Sequence, residues 1–327
     1  MVHVNETTLS MFPGQGSQRA RMAGHLTHDH PRTAGRVLAE ATDVLGLPLT
    51  ELCTTADAAA LEPTEIAQPA ILATSLAVLA VLREEAGHLP SVVAGHSLGE
   101  YTALVAAGVL SPADALRLVR RRGELMAAVS RRVSGAMTAV MGLAPRHIEA
   151  ICARSAPLGR VEVANYNERG QTVVSGERAA VAEAARLAEE AGAERTVPLK
   201  VSAPFHCSLM REIEDEFGAE LERCRFADPD VLVLSSVSGG PVRDGAHARE
   251  LLRRQLVGPV RWVDVLDAAR AHGVTAYVEI GPGRVLSGFA HRTVPDATVR
   301  STNDARRLGA LVRDLSPPAT GSGAEAA

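Results

Sequence analysis

The chain has 327 residues, of which 46% are apolar, with 34 basic against 38 acidic side chains and a formal net charge of −4. That composition supplies a sizeable core and excludes global disorder and a strongly basic nucleic-acid-binding surface. Lys200 is the only lysine, so nearly all positive charge is arginine.

The first ten residues hold no apolar run that could serve as a signal peptide. Residues 8–12 are apolar and stop at Pro13-Gly14, which predicts a strand entering a loop. A helical region follows. Gln68-Pro69 then starts a second helix, with proline near the first turn. The longest apolar stretch, residues 70–82, is broken by Thr74 and Ser75 and is too short to span a bilayer; it reads as a buried helix of a soluble protein. Residues 91–94 form the next strand, which runs into Gly95-His96-Ser97-Leu98-Gly99 and a helix to Ala107 that ends at Gly108. Ser111 caps a further helix, with Pro112 at its first position, through Met126. This alternation argues for a doubly wound, mostly parallel sheet.

From residue 134 to about 201 the rhythm changes. The order is strand (136–143), helix (145–155), strand pair (161–165 and 172–175), helix (179–191) and strand (195–200). That β-α-β-β-α-β order is ferredoxin-like. The expected fold is therefore an α/β-hydrolase-like large domain in two pieces, 1–132 and 202–315. A ferredoxin-like small domain, 133–201, is inserted in it, and the Pro-, Gly-, Ser- and Ala-rich tail 316–327 is disordered.

Gly95-His96-Ser97-Leu98-Gly99 is a G-x-S-x-G between a strand and a helix. On such a turn the flanking glycines remove colliding side chains, the serine hydroxyl stands at the C-terminal end of the sheet, and the following N–H faces a developing oxyanion. A serine nucleophile needs a base. Of 11 histidines, His206 lies just after the last strand of the inserted segment, between the two domains. That setting fits either a base or a satisfied loop histidine, and no acidic third partner is marked. Arg122 falls on the apolar stripe of its helix with Ala115, Leu118, Val119, Leu125 and Met126, while Arg117, Arg120, Arg121 and Glu124 turn outward. An inward arginine requires an anion, supplied by a substrate carboxylate or by an internal salt bridge.

Gly14-Gln15-Gly16-Ser17-Gln18 lacks the last glycine of a dinucleotide fingerprint, where Arg19 stands; its better use is a backbone N–H near Ser97 as a second oxyanion donor. His25, His28, Asp29 and His30 have no later partner with metal-ligand spacing and read as a solvated helix end or loop. Cys53, Cys152, Cys207 and Cys224 form no C-x-x-C pair and read as reduced thiols of a cytoplasm, with Cys207 a packing residue.

Together these pieces resemble the malonyl-CoA:acyl carrier protein transacylases and the related acyltransferases of polyketide synthesis. The resemblance runs in order through Phe12-Pro13-Gly14-Gln15-Gly16-Ser17-Gln18, Gly95-His96-Ser97-Leu98-Gly99-Glu100, Arg122-Gly123, Asn165-Tyr166-Asn167 with Gln171, and Ala203-Pro204-Phe205-His206. Arg254-Gln255-Leu256-Val257-Gly258-Pro259-Val260-Arg261-Trp262 and Glu279-Ile280-Gly281-Pro282-Gly283 complete it.

The resemblance implies Ser97 as nucleophile, His206 as general base and acid, and the N–H groups of Gln15 and Leu98 as the oxyanion hole. It implies Arg122 as the partner of a malonyl carboxylate and Gln255 as the residue whose backbone carbonyl orients His206. The implied activity is [acyl-carrier-protein] S-malonyltransferase in fatty-acid or polyketide synthesis. Its substrates are malonyl-CoA and the phosphopantetheine thiol of an acyl carrier protein or carrier domain, with no metal or redox cofactor, nucleic acid or membrane involved. Gly258 stands where the housekeeping enzymes usually have asparagine, and Phe205 precedes the histidine where many of them have serine. In this Phe205 resembles the residue of the malonyl-specific polyketide acyltransferases, where a bulky side chain disfavours extenders branched at C2. The alternatives are an acyl hydrolase, or a transferase for another acyl-CoA extender, on the same fold. For docking an acidic carrier, Arg131, Arg132, Arg253 and Arg254 form the expected basic patch.

Overall fold

Two five-stranded sheets organise the computed structural model, which describes residues 7–88, 90–201 and 203–315. The expected disordered tail, 316–327, lies outside the described residues. The strands are β1 (Thr8–Phe12), β2 (Val92–Gly95), β3 (Gly135–Met141), β4 (Val161–Glu168), β5 (Gln171–Glu177), β6 (Arg195–Pro198), β7 (Leu232–Leu234), β8 (Val260–Arg261), β9 (Ala276–Glu279) and β10 (Thr298–Ser301).

The first sheet has the order β10-β9-β1-β2-β7 and is parallel throughout. Its strands are apolar on both faces because helices cover both. Phe12, Val93, Val233 and Val278 pack with the helix Thr64–Ala86, whereas Leu9, Met11, Ala94, Leu234 and Tyr277 pack with Trp262, Leu266 and Phe289. Phe12 pairs with Gly95, so β1 and β2 end side by side and open their following loops at the same place. Loops beyond the carboxyl ends of parallel strands are where such sheets bind ligands.

The helix Thr64–Ala86 starts one turn earlier than the sequence suggested, and Pro69 sits inside it. Proline has no N–H to give the carbonyl four residues back, that of Glu65. Arg120 of the helix Pro112–Arg132 donates to that carbonyl at 2.8 Å, so Arg120 does not simply face solvent. At 23 residues this helix is also long and apolar enough to cross a bilayer, contrary to the expectation from residues 70–82; 83% of its apolar window is buried inside the protein. The helix Pro112–Arg132 is capped by the Ser111 side chain as read, and runs six residues past Met126.

The second sheet has the order β6-β3-β5-β4-β8, with β3, β4, β5 and β6 antiparallel and β8 added parallel to β4. The helices Pro145–Ser155 and Arg178–Glu190 cover one face through Ile148, Ile151, Val181 and Ala184. This is the β-α-β-β-α-β order, with β4 and β5 longer than read from the sequence and β6 shorter. Two register shifts in β4, at Val163/Asn165 and Tyr166/Glu168, lie where the strand passes the central cavity.

Candidate active site

The turn after β2 is possible only with glycine at both ends. A Cβ on Gly95 would land on the backbone of Gly99, and a Cβ on Gly99 would land on the Phe12 carbonyl. Between them Ser97 is held at φ 52°, in the left-handed region that non-glycine residues avoid, and His206 is held at φ 58°. These two strained residues face each other. The Ser97 hydroxyl donates to His206 Nε2 at 2.7 Å. On the other side of the ring, Nδ1–H donates to the Gln255 carbonyl at 2.9 Å, with the Gly258 carbonyl 3.2 Å away. The two carbonyls fix the tautomer that leaves Nε2 free to accept a proton. Burial, and then the Arg122 charge, push the His206 pKa down to about 3, against the opposing pull of the two carbonyls. A neutral imidazole hydrogen-bonded to a serine hydroxyl is the arrangement of an activated oxygen nucleophile.

A cavity of about 400 Å³ opens over this pair, lined among others by Gln15, Gln68, Arg122, Asn167 and Phe205. Arg122 is 2% exposed and has no carboxylate partner among the described residues. One of its terminal nitrogens donates to Gln68 Oε1 at 2.8 Å; the other donates to Ser97 Oγ at 3.0 Å and to Gln255 Oε1 at 3.1 Å. Its Nε–H is buried without an acceptor, and the guanidinium lies 5.8 Å from the Tyr101 ring centre. Burial pulls its pKa below the ordinary value, yet an arginine stays charged. The internal salt bridge that the sequence left open is not formed among the described residues.

Of the six residues singled out from the sequence, Gln15, Ser97, Arg122 and His206 line the cavity. Gln255 stands behind Ser97 and His206. The Leu98 side chain is buried in the core, but its N–H, like that of Gln15, makes no hydrogen bond to any described residue. Sequence reasoning missed Gln68, the Gly258 carbonyl and the role of His96. The His96 ring is buried, hydrogen-bonds Asn167 Oδ1 at 2.9 Å, and meets Trp262 edge-on at 5.6 Å. Asn167 in turn donates to Gln171 at 2.9 Å. Cys207 is buried with its thiol pushed up to about 11, so it stays protonated.

His25, His28 and Asp29 lie in the short helix Gly24–Asp29 with His30 at its C-terminal cap, the helix end that the sequence suggested; His28 pairs with Asp29 and His30 with Glu85. One surface expectation changes. In the expected basic patch, Arg132 pairs with Glu212, Arg253 with Glu214 and Asp215, and Arg254 with Glu250; of the four, only Arg131 has no carboxylate partner among the described residues.

A family model described as an acyl transferase domain matches residues 10–321. The malonyl CoA-acyl carrier protein transacylase of Haemophilus influenzae is 40% identical over 302 residues, covering 92% of this chain and 96% of its own. The transacylase of the same name from Bacillus subtilis is 42% identical over 306 residues, covering 93% and 96%. A solved structure of a type II polyketide synthase acyl-carrier protein in complex with its malonyl-transacylase superposes with a TM-score of 0.91 at 39% identity, covering 94% of this chain and 99% of that one.

Proposed function

Because the chain belongs to the acyl transferase domain family, we propose that it moves a malonyl group from malonyl-CoA to the phosphopantetheine thiol of an acyl carrier protein, in the cytoplasm, for fatty-acid or polyketide synthesis. Ser97 Oγ attacks the thioester carbonyl while His206 Nε2 takes its proton. The N–H groups of Gln15 and Leu98 receive the oxyanion. The C–S bond breaks, coenzyme A leaves with the proton from His206, and malonyl remains as an ester on Ser97. In the second half His206 deprotonates the carrier thiol, which attacks the ester; Ser97 regains its proton and the malonyl thioester leaves on the carrier. Exchange between two thioesters through an ester conserves oxidation state and so asks for no redox cofactor; Ser97, His206 and the two N–H groups supply nucleophile, base and oxyanion donors, and we assign no metal.

The observation that carries the malonyl assignment is Arg122, a buried guanidinium beside Ser97 with no carboxylate of its own. Acylation turns Ser97 Oγ into an ester oxygen, a poorer acceptor, and releases one N–H of Arg122 toward the acyl group attached there. That N–H, the second N–H on the nitrogen bound to Gln68, and the unsatisfied Nε–H are then available to a carboxylate. Phe205, 7% exposed and on the cavity wall, supports an unbranched extender.

Arg122→Ala tests the assignment. It should lose malonyl transfer by about two to four orders of magnitude, the scale of an unpaired desolvated charge, while keeping acetyl transfer. Mass spectrometry should still find acyl label on the Ser97 peptide with acetyl-CoA. An equal loss for both acyl groups would make Arg122 structural.

A further inference from the structure

Glu100 follows the turn that carries Ser97 and is 1% exposed. Its carboxylate lies on the far side of the Gln255 side chain from Arg122. That amide has one self-consistent orientation. Its Nε2 donates to the Ser97 carbonyl at 3.1 Å and to Glu100 Oε2 at 2.8 Å, while its Oε1 accepts from Arg122 at 3.1 Å. The reverse orientation would aim an NH2 at the guanidinium and a carbonyl at the carboxylate. Cation, amide dipole and anion therefore stand in sequence, in surroundings where screening by water is weak.

The groups that bond Glu100 all donate. Ser236 Oγ gives a hydrogen bond at 2.7 Å, and the Ser235 hydroxyl and the Ser236 N–H add to it. Burial raises the carboxyl above the ordinary carboxylate range, and these donors oppose that rise by favouring the ionised form. Among the described residues no arginine, lysine or histidine pairs with it directly.

We propose that Glu100 is a positioning residue for acyl-group selection: it locks the Gln255 amide with its carbonyl toward Arg122, and so holds the guanidinium where it grips the substrate carboxylate. The inference rests on the reading of Arg122 given above. A glutamine at position 100 would turn an NH2 into a ring of donors, leave one of them unpaired and release the Gln255 amide to rotate.

The test measures kcat/KM for malonyl-CoA and acetyl-CoA in wild type, Glu100→Gln, Arg122→Ala and the double variant. Glu100→Gln should lower the malonyl value about 10–100-fold, the scale of one lost charge-assisted hydrogen bond, and the acetyl value less than about threefold. In the Arg122→Ala background it should add no further loss. Equal losses for both substrates, or additive losses in the double variant, overturn the role of Glu100 while a selective Arg122→Ala leaves the malonyl reading standing. A non-selective Arg122→Ala overturns both. Should Glu100→Gln not fold, Ser236→Ala removes one donor from the carboxylate and should lower the malonyl-to-acetyl ratio about threefold to tenfold. An unchanged ratio overturns the proposal.

Discussion

His206 meets Ser97 with its ring neutral, and this has a consequence for pH. Burial and the Arg122 charge depress its pKa from 6.5 to about 3. Between those two values the unfolded chain binds a proton that the folded site refuses, so stability falls as pH drops through that window. Above about pH 3 the base needs no deprotonation. The value of kcat/KM for malonyl-CoA should therefore stay level from pH 8 to pH 5, whereas an ordinary histidine would cut it tenfold per unit below 6.5. A pH–rate profile that breaks near 6.5 would mean that the base titrates as an ordinary histidine in the free enzyme, against the depression described for His206. Ser97 was legible from its flanking glycines and Arg122 from its place on an apolar stripe. The Arg122 partners Gln68 and Gln255 come from 54 and 133 residues away, and no local pattern announces such pairings.

Among the elements, the packing of the helix Pro112–Arg132 on the helix Thr64–Ala86 decides where Arg122 points. The two approach closely at Gly123, where a Cβ would lie 2.8 Å from Glu65 Cα and 3.1 Å from the Thr64 carbonyl. Both obstacles are backbone and cannot rotate away. Gly123→Ala should therefore cost about 1–3 kcal/mol despite the better helix propensity of alanine, and should lower Tm by several degrees. It should also weaken malonyl selectivity, since the shift falls on the neighbour of Arg122. An unchanged Tm would mean that the helices separate freely. The pair Arg122-Gly123 was visible in the sequence, but the reason for its glycine was not, because it lies in a different helix. The early start at Thr64 was hidden by Pro69, whose stranded acceptor is satisfied by Arg120 from outside the helix.

At the scale of the molecule, the net charge of −4 opposes an acidic carrier unless a local cationic area receives it. Arg132, Arg253 and Arg254 spend their charge on neighbouring acids, leaving Arg131 as the one candidate of the four without a carboxylate partner among the described residues. Glu250 stands four residues before Arg254, a helical spacing that signals such a pair in advance; Glu212 and Glu214 gave no comparable signal. Nine residues of helix place Arg131 about 14 Å beyond Arg122. Arg131→Glu should raise KM for the carrier several-fold at low salt and leave KM for malonyl-CoA unchanged; equal KM values in steady-state transfer assays would remove this surface from consideration. The hydrogen bond between Ser97 and His206 has a wider bearing. Ser97 hangs from β2 of the parallel sheet, and His206 follows β6 of the second, mixed sheet, so their 2.7 Å separation is a caliper laid across both. A drift of about 1 Å between such partners costs about a hundredfold in rate, before any core contact opens. Turnover thus gauges how the two sheets sit together, and a small molecule wedged between them far from Ser97 would silence the enzyme without touching a reacting atom.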